Sequence, residues 1–75
     1  MDVKVYAGND PYSDMVKNLL KYYNTEFECI SIRTEEDKQK LINISGQDKT
    51  PVIEVNGKVF CGFDREKIKE LLKLS

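Results

Sequence analysis

The dipeptide Asn56-Gly57 constrains the fold of this chain more than any other pair of residues in it. Two short β-rich runs flank it, Pro51-Val52-Ile53-Glu54-Val55 and Lys58-Val59-Phe60-Cys61. Asn-Gly between such runs is the strongest short-range hairpin signal, because both central residues of the favoured turn need positive φ. An antiparallel pair is therefore expected over residues 51–61. A lone hairpin is marginal in water, so the rest of the chain has to supply further strands and a cover.

The preceding residues supply both. Val3-Lys4-Val5-Tyr6-Ala7 alternates in polarity and predicts a first strand, closed by the turn signal Gly8-Asn9. Asp10-Pro11 opens a helix: Asp accepts from the free first-turn N–H groups, and Pro at the first helical position sacrifices no bond. Tyr12, Met15, Val16, Leu19, Leu20 and Tyr23 then recur at the spacing of a helix that buries one face, and Asn24-Thr25 ends it. Residues 26–32 (Glu-Phe-Glu-Cys-Ile-Ser-Ile) predict a second strand, parallel to the first because a helical crossover joins them. Thr34 and Asp37 form a capping-box pattern for a second helix that runs to about Ile44 and stops at Ser45-Gly46. After the hairpin, Asp64 caps a last helix with Ile68, Leu71 and Leu72 as its stripe, and Phe63 with Ile68 fits a hydrophobic staple. The element order is β-α-β-α-β-β-α. Pro51 opens its strand either as an ordinary first residue or within a special turn that includes a cis bond.

Composition narrows the chemistry. The 75 residues form one domain, 1–75, with 40% apolar and 33% charged residues, which is globular usage. Lys plus Arg number 12 and Asp plus Glu 13, for a net charge of −1, which argues against a nucleic-acid or anionic-membrane surface. There is no His, and only two Cys, Cys29 and Cys61. That inventory removes His-dependent triads, zinc fingers, and a disulfide framework, and no metal site is expected. No run approaches a membrane span and no basic-then-apolar leader opens the sequence, so a cytoplasmic protein is expected. The charged run Glu35-Glu36-Asp37-Lys38 with Lys40 reads as a solvated helix face, acids in the first turn and bases later.

The chain resembles the glutaredoxin and NrdH-redoxin branch of the thioredoxin fold along nearly its whole length. The matching stretches are Val3-Lys4-Val5-Tyr6, Pro11-Tyr12, Met15 to Leu20, Ser45-Gly46-Gln47, Thr50-Pro51-Val52-Ile53, Asn56-Gly57-Lys58 and Gly62-Phe63-Asp64. The resemblance implies a thioredoxin-like α/β fold of the glutaredoxin type. Its four-stranded mixed sheet has order 2-1-3-4 and is flanked by three helices, with a cis bond before Pro51. It also implies a thiol-disulfide oxidoreductase family with roles in electron transport and cell redox homeostasis. Its ligand groove would be built from Tyr12, Thr50, Pro51, Val52, Gly62, Phe63 and Asp64.

The family's Cys-Pro-Tyr-Cys motif does not survive. Counting back four residues from Lys17 places Ser13 in the register of the resolving thiol and Asp10 in that of the nucleophile, with the preceding loop one residue shorter. The chain reads Asp10-Pro11-Tyr12-Ser13. A carboxylate suits the helix N-terminus as a thiolate does, but it cannot attack a disulfide, and a hydroxyl cannot resolve one. Read without the family, Asp10 is a helix cap and Ser13 a first-turn polar residue.

Of the remaining thiols, Cys29 is expected to be a buried strand residue. Cys61 is expected to pack at an edge strand, and it is the one candidate for a displaced redox thiol. With order 2-1-3-4 the two lie on opposite edges, too far apart for a disulfide. The expected function is a redox-inactive domain that binds a protein or an extended peptide, a reductase being one such partner, as a monomer. An active oxidoreductase is the alternative, either monothiol through Cys61 or an active-site variant of an enzyme that carries the motif. A structural subunit pairing through an exposed sheet edge is a third. No cofactor is expected. Glutathione is disfavoured by Gly8, which stands where many glutaredoxins carry a basic residue, and Phe63 leans toward the NrdH side.

Overall fold

The computed structural model describes residues 2–72. Strand β1 (Val3–Ala7) leads into helix α1 (Pro11–Tyr22), followed by β2 (Glu28–Ser31), α2 (Glu35–Ser45), β3 (Val52–Val55), β4 (Lys58–Cys61) and α3 (Arg65–Leu71). The sheet order is β2-β1-β3-β4. β1 runs parallel to β2, and the pairs β1–β3 and β3–β4 are antiparallel. Both the element order and the mixed sheet follow the sequence expectation.

Local signals set the element ends. Asn56 and Gly57 adopt φ of 50° and 87°, the positive pair that the tight turn requires. α2 begins in a reciprocal box: Thr34 accepts from the Asp37 N–H while Asp37 accepts from the Thr34 N–H. It ends at Gly46 with φ 78°, whose N–H donates to the Ile42 carbonyl. Asn24 in the left-handed region turns the chain out of α1. The Asp64 carboxylate caps α3 by accepting from the N–H groups of Glu66 and Lys67.

Strand alternation sorts the core onto two faces of the sheet. Val3, Val5, Ala7, Ile53 and Val55 face Val16 and Leu20 of α1 and Ile68 of α3, with Phe63 packed against the same cluster. Phe63 thus packs against the cluster that contains Ile68, as the staple pattern expects. Tyr6 and Val52 face the other way, onto Leu41 of α2, and Cys61 packs beside them. On that face the Tyr6 hydroxyl donates to the Glu54 carboxylate at 3.1 Å. Burial first, then this bond and the Glu54 charge, push the phenol above its ordinary value.

Three expectations need correction. Cys29 is exposed, not buried, because β2 is an edge strand on which only Ile30 is even partly covered. β2 is also shorter than residues 26–32. On α1, Val16 and Leu20 are buried as expected, but Tyr12 is 59% and Met15 44% exposed. Ser13, read from the sequence as a first-turn polar residue, is fully buried in their stead.

Candidate functional site

The loop after β1, the first turn of α1 and the loop before β3 converge on Asp10. As the N-cap of α1, its carboxylate accepts from the Ser13 N–H at 2.8 Å. The same carboxylate accepts from the Ser13 hydroxyl at 2.9 Å and from the Thr50 hydroxyl at 2.6 Å. Ser13 Oγ in turn accepts from the Gly8 N–H at 3.1 Å. Every buried polar side-chain atom among the described residues has a partner. The burial of Ser13 is therefore affordable only because its hydroxyl both donates and accepts.

Burial alone would raise the Asp10 carboxyl. Hydrogen bonds from the Thr50 hydroxyl, from the Ser13 N–H and hydroxyl, and from the Tyr12 backbone outweigh it and hold the group below its ordinary value. Asp10 is thus an anion at neutral pH, fixed at the head of α1.

Gly8 is part of the same assembly. A Cβ added there would collide with Thr50 Oγ1 and lie 3.2 Å from both Asp10 Oδ2 and Thr50 Cβ. Glycine is what lets the Gly8 N–H reach Ser13 while Thr50 reaches Asp10. Sequence reasoning saw in Gly8 a turn residue and a missing basic residue, and it missed Ser13 as a buried relay. The role of Gly8 depends on the distant Thr50, and that of Ser13 on how Gly8 and Asp10 are folded around its hydroxyl, which residue spacing does not show.

Beside this network lies an open groove of about 340 Å³, lined by Tyr12, Thr50, Pro51, Gly62 and Phe63. The Thr50–Pro51 peptide bond is cis. The Gly62 N–H donates to the Pro51 carbonyl at 2.8 Å and ties the two loops together under the groove. No backbone–backbone hydrogen bond among the described residues uses the Thr50 N–H or C=O.

Two of the residues expected at the groove, Val52 and Asp64, stand outside its lining, as does the candidate thiol Cys61. Val52 is fully buried and its side chain faces Tyr6 and Leu41. Asp64 spends its carboxylate on capping α3. Cys61 is half-buried on the α2 face of the sheet, because strand alternation sends Phe60 toward α1 and α3 and Cys61 away from them. Pro11 is the first residue of α1, with its ring exposed. Among the described residues no group of His, Cys, Asp and Glu is placed to hold a metal ion, and no helix is long and apolar enough to cross a membrane.

The glutaredoxin family model matches residues 11–60, two thirds of the chain, from the first turn of α1 through the hairpin. The chain belongs to the glutaredoxin family. Its fold is that of a thiol-disulfide oxidoreductase family. One relative is an uncharacterised glutaredoxin-like 8.6 kDa protein of the rubredoxin operon of Clostridium pasteurianum, 25% identical over 95% of this chain and 97% of its own length. The glutaredoxin of Archaeoglobus fulgidus superposes with a TM-score of 0.85 at 31% identity, covering 96% of this chain and 86% of that one. NrdH-redoxin from Escherichia coli shares the fold, with a TM-score of 0.78 at 18% identity over 100% of this chain and 96% of its own. Against this glutaredoxin background, Asp10 and Ser13 occupy the place in the first turn of α1 where the resemblance puts the redox pair.

Proposed function

We propose that this glutaredoxin-family domain binds an extended peptide segment of a protein partner without exchanging disulfides. The observation that carries this reading is the hydrogen-bonded set Asp10, Ser13 and Thr50. It keeps a negative charge at the head of α1 and joins it to the loop before Pro51, with no sulfur in it. A carboxylate has no pathway to a mixed disulfide, so the site can recognise but not react. The Thr50 N–H and C=O, free of backbone partners among the described residues and belonging to a residue that lines the groove, are suited to pair with an extended chain as an added strand does.

A peptide is favoured over glutathione because position 8 carries no cation and has no room for a side chain that could supply one. The same reading has the protein act as a monomer in the cytoplasm, where thiols such as Cys29 and Cys61 stay reduced. The alternative of a monothiol enzyme finds no support in the placement of Cys61, whose side chain packs on the sheet face opposite α1.

The test is disulfide reduction by the native chain, assayed with glutathione and separately with a thioredoxin-type reductase. Rates at the uncatalysed background are expected in both. Turnover above background would overturn the proposal, and its loss in Cys61→Ser would assign the activity to that thiol.

A further inference from the structure

The apolar arc of α1 is wider than its core needs. At 100° per residue, Tyr22, Met15, Leu19, Tyr12, Tyr23, Val16 and Leu20 follow one another around half the helix, whereas a packed surface helix needs an apolar stripe of roughly 100°. The half holding Val16 and Leu20 is buried. The other half is not: Tyr22 is 72%, Tyr12 59% and Met15 44% exposed. Together with Asn18, Leu19, Phe63 and Arg65, Met15 and Tyr22 line a shelf of about 420 Å³ between α1 and α3.

Two observations say what covers this shelf. It is continuous with the groove, because Phe63 lines both. Arg65 is also the one charged side chain in its lining; its guanidinium is hydrogen-bonded to the Tyr23 side chain but forms no ion pair with a carboxylate among the described residues. An apolar floor beside a single cation that has no carboxylate partner among the described residues complements an apolar side chain that has a carboxylate next to it.

We infer that the groove and the shelf form one recognition surface for an extended acidic-apolar segment. The segment pairs its backbone with Thr50 and sets a large apolar side chain on Met15 and Tyr22, with an adjacent Asp or Glu at Arg65. This rests on the peptide-binding reading of the groove and names the class of peptide that the groove takes.

The test selects binders to the native chain from a phage-displayed library of random heptapeptides. The strongest binder is then synthesised and titrated into isotope-labelled protein, with chemical shifts followed by NMR. Enrichment of Phe, Leu or Trp beside Asp or Glu is expected, with shifts at Thr50 and Gly62 and also at Met15, Asn18 and Tyr22. The double variant Met15→Ser, Tyr22→Ser changes exposed side chains only and is expected to weaken binding at least tenfold. Arg65→Glu, which an α-helix tolerates well in its first turn, is expected to reverse the charge preference of the selected peptides. Peptides that shift only Thr50 and Gly62 and ignore the double variant would overturn the shelf while leaving the groove reading intact. Peptides that shift only the shelf, or a selection that enriches nothing, would overturn both. A chain that dimerises by light scattering, and becomes monomeric in the double variant, would show the occupant to be a second copy and overturn the peptide.

Discussion

Asp10 does two jobs at the head of α1. It caps α1 through the Ser13 N–H, and it fastens the loop before β3 through the Thr50 hydroxyl. Removing both at once with Asp10→Ala is expected to cost about 2 kcal/mol, read from urea unfolding. The pH dependence has a definite sign. The folded-state pKa of Asp10 is lowered, so the folded protein binds that proton less readily than the unfolded chain does. The stability it contributes is complete above the ordinary carboxylate value of about 3.9 and fades as pH falls through the lowered value. Asp10→Asn is expected to flatten the acid limb of stability against pH. An unchanged acid limb would show that Asp37, also lowered (through the Arg33 and Thr34 N–H groups first), carries it instead. At this scale the sequence was legible for Asp10 as a cap, since capping is local. It was not legible for Ser13, whose polar side chain is buried only because Gly8 and Asp10 sit within reach of its hydroxyl.

At the scale of elements, the spacing between the loop after β1 and the loop before β3 is set by Gly8 against Thr50. Gly8→Ala forces Thr50 Oγ1 to move and strains its bond to Asp10, an overpacking cost of about 1–3 kcal/mol. In a Thr50→Ala background the same substitution is expected to cost much less. Equal costs in the two backgrounds, measured by thermal or urea unfolding, would mean that the two loops do not meet there. The helix and hairpin ends were readable because Asp10, Thr34, Gly46, Asn56-Gly57 and Asp64 each act on neighbours a few residues away. The extent and burial of β2 were not. Which side of an edge strand is covered depends on helices elsewhere in the chain, and Cys29 was misplaced for that reason.

At the scale of the molecule, the order β2-β1-β3-β4 puts Cys29 and Cys61 on opposite edge strands and leaves both as free thiols. An intact mass measured without reductant is expected to show both thiols present, and a loss of two hydrogens would contradict the topology. A thiol reagent applied to the native protein is expected to modify exposed Cys29 before half-buried Cys61, and the reverse order would mean that the face bearing Cys61 opens in solution. The whole fold was legible from the pattern of strands, helices and turns together with the family resemblance. The groove was legible in Tyr12, Thr50, Pro51, Gly62 and Phe63, which lie far apart in sequence but which the fold brings together. Val52 and Asp64 were assigned to it through the family resemblance; in the structure the Val52 side chain is buried with Tyr6 and Leu41, and the Asp64 carboxylate caps α3. The central claim, proposed above, is that this glutaredoxin-family domain does not exchange disulfides because Asp10 and Ser13 stand where the resemblance puts the redox pair. The double variant Asp10→Cys, Ser13→Cys tests it most directly, assayed for disulfide reduction beside the native chain with a thioredoxin-type reductase or glutathione as electron source. The account predicts catalytic turnover in the variant and none in the native chain. Turnover by the native chain, or a folded double variant as inert as the native one, would contradict it.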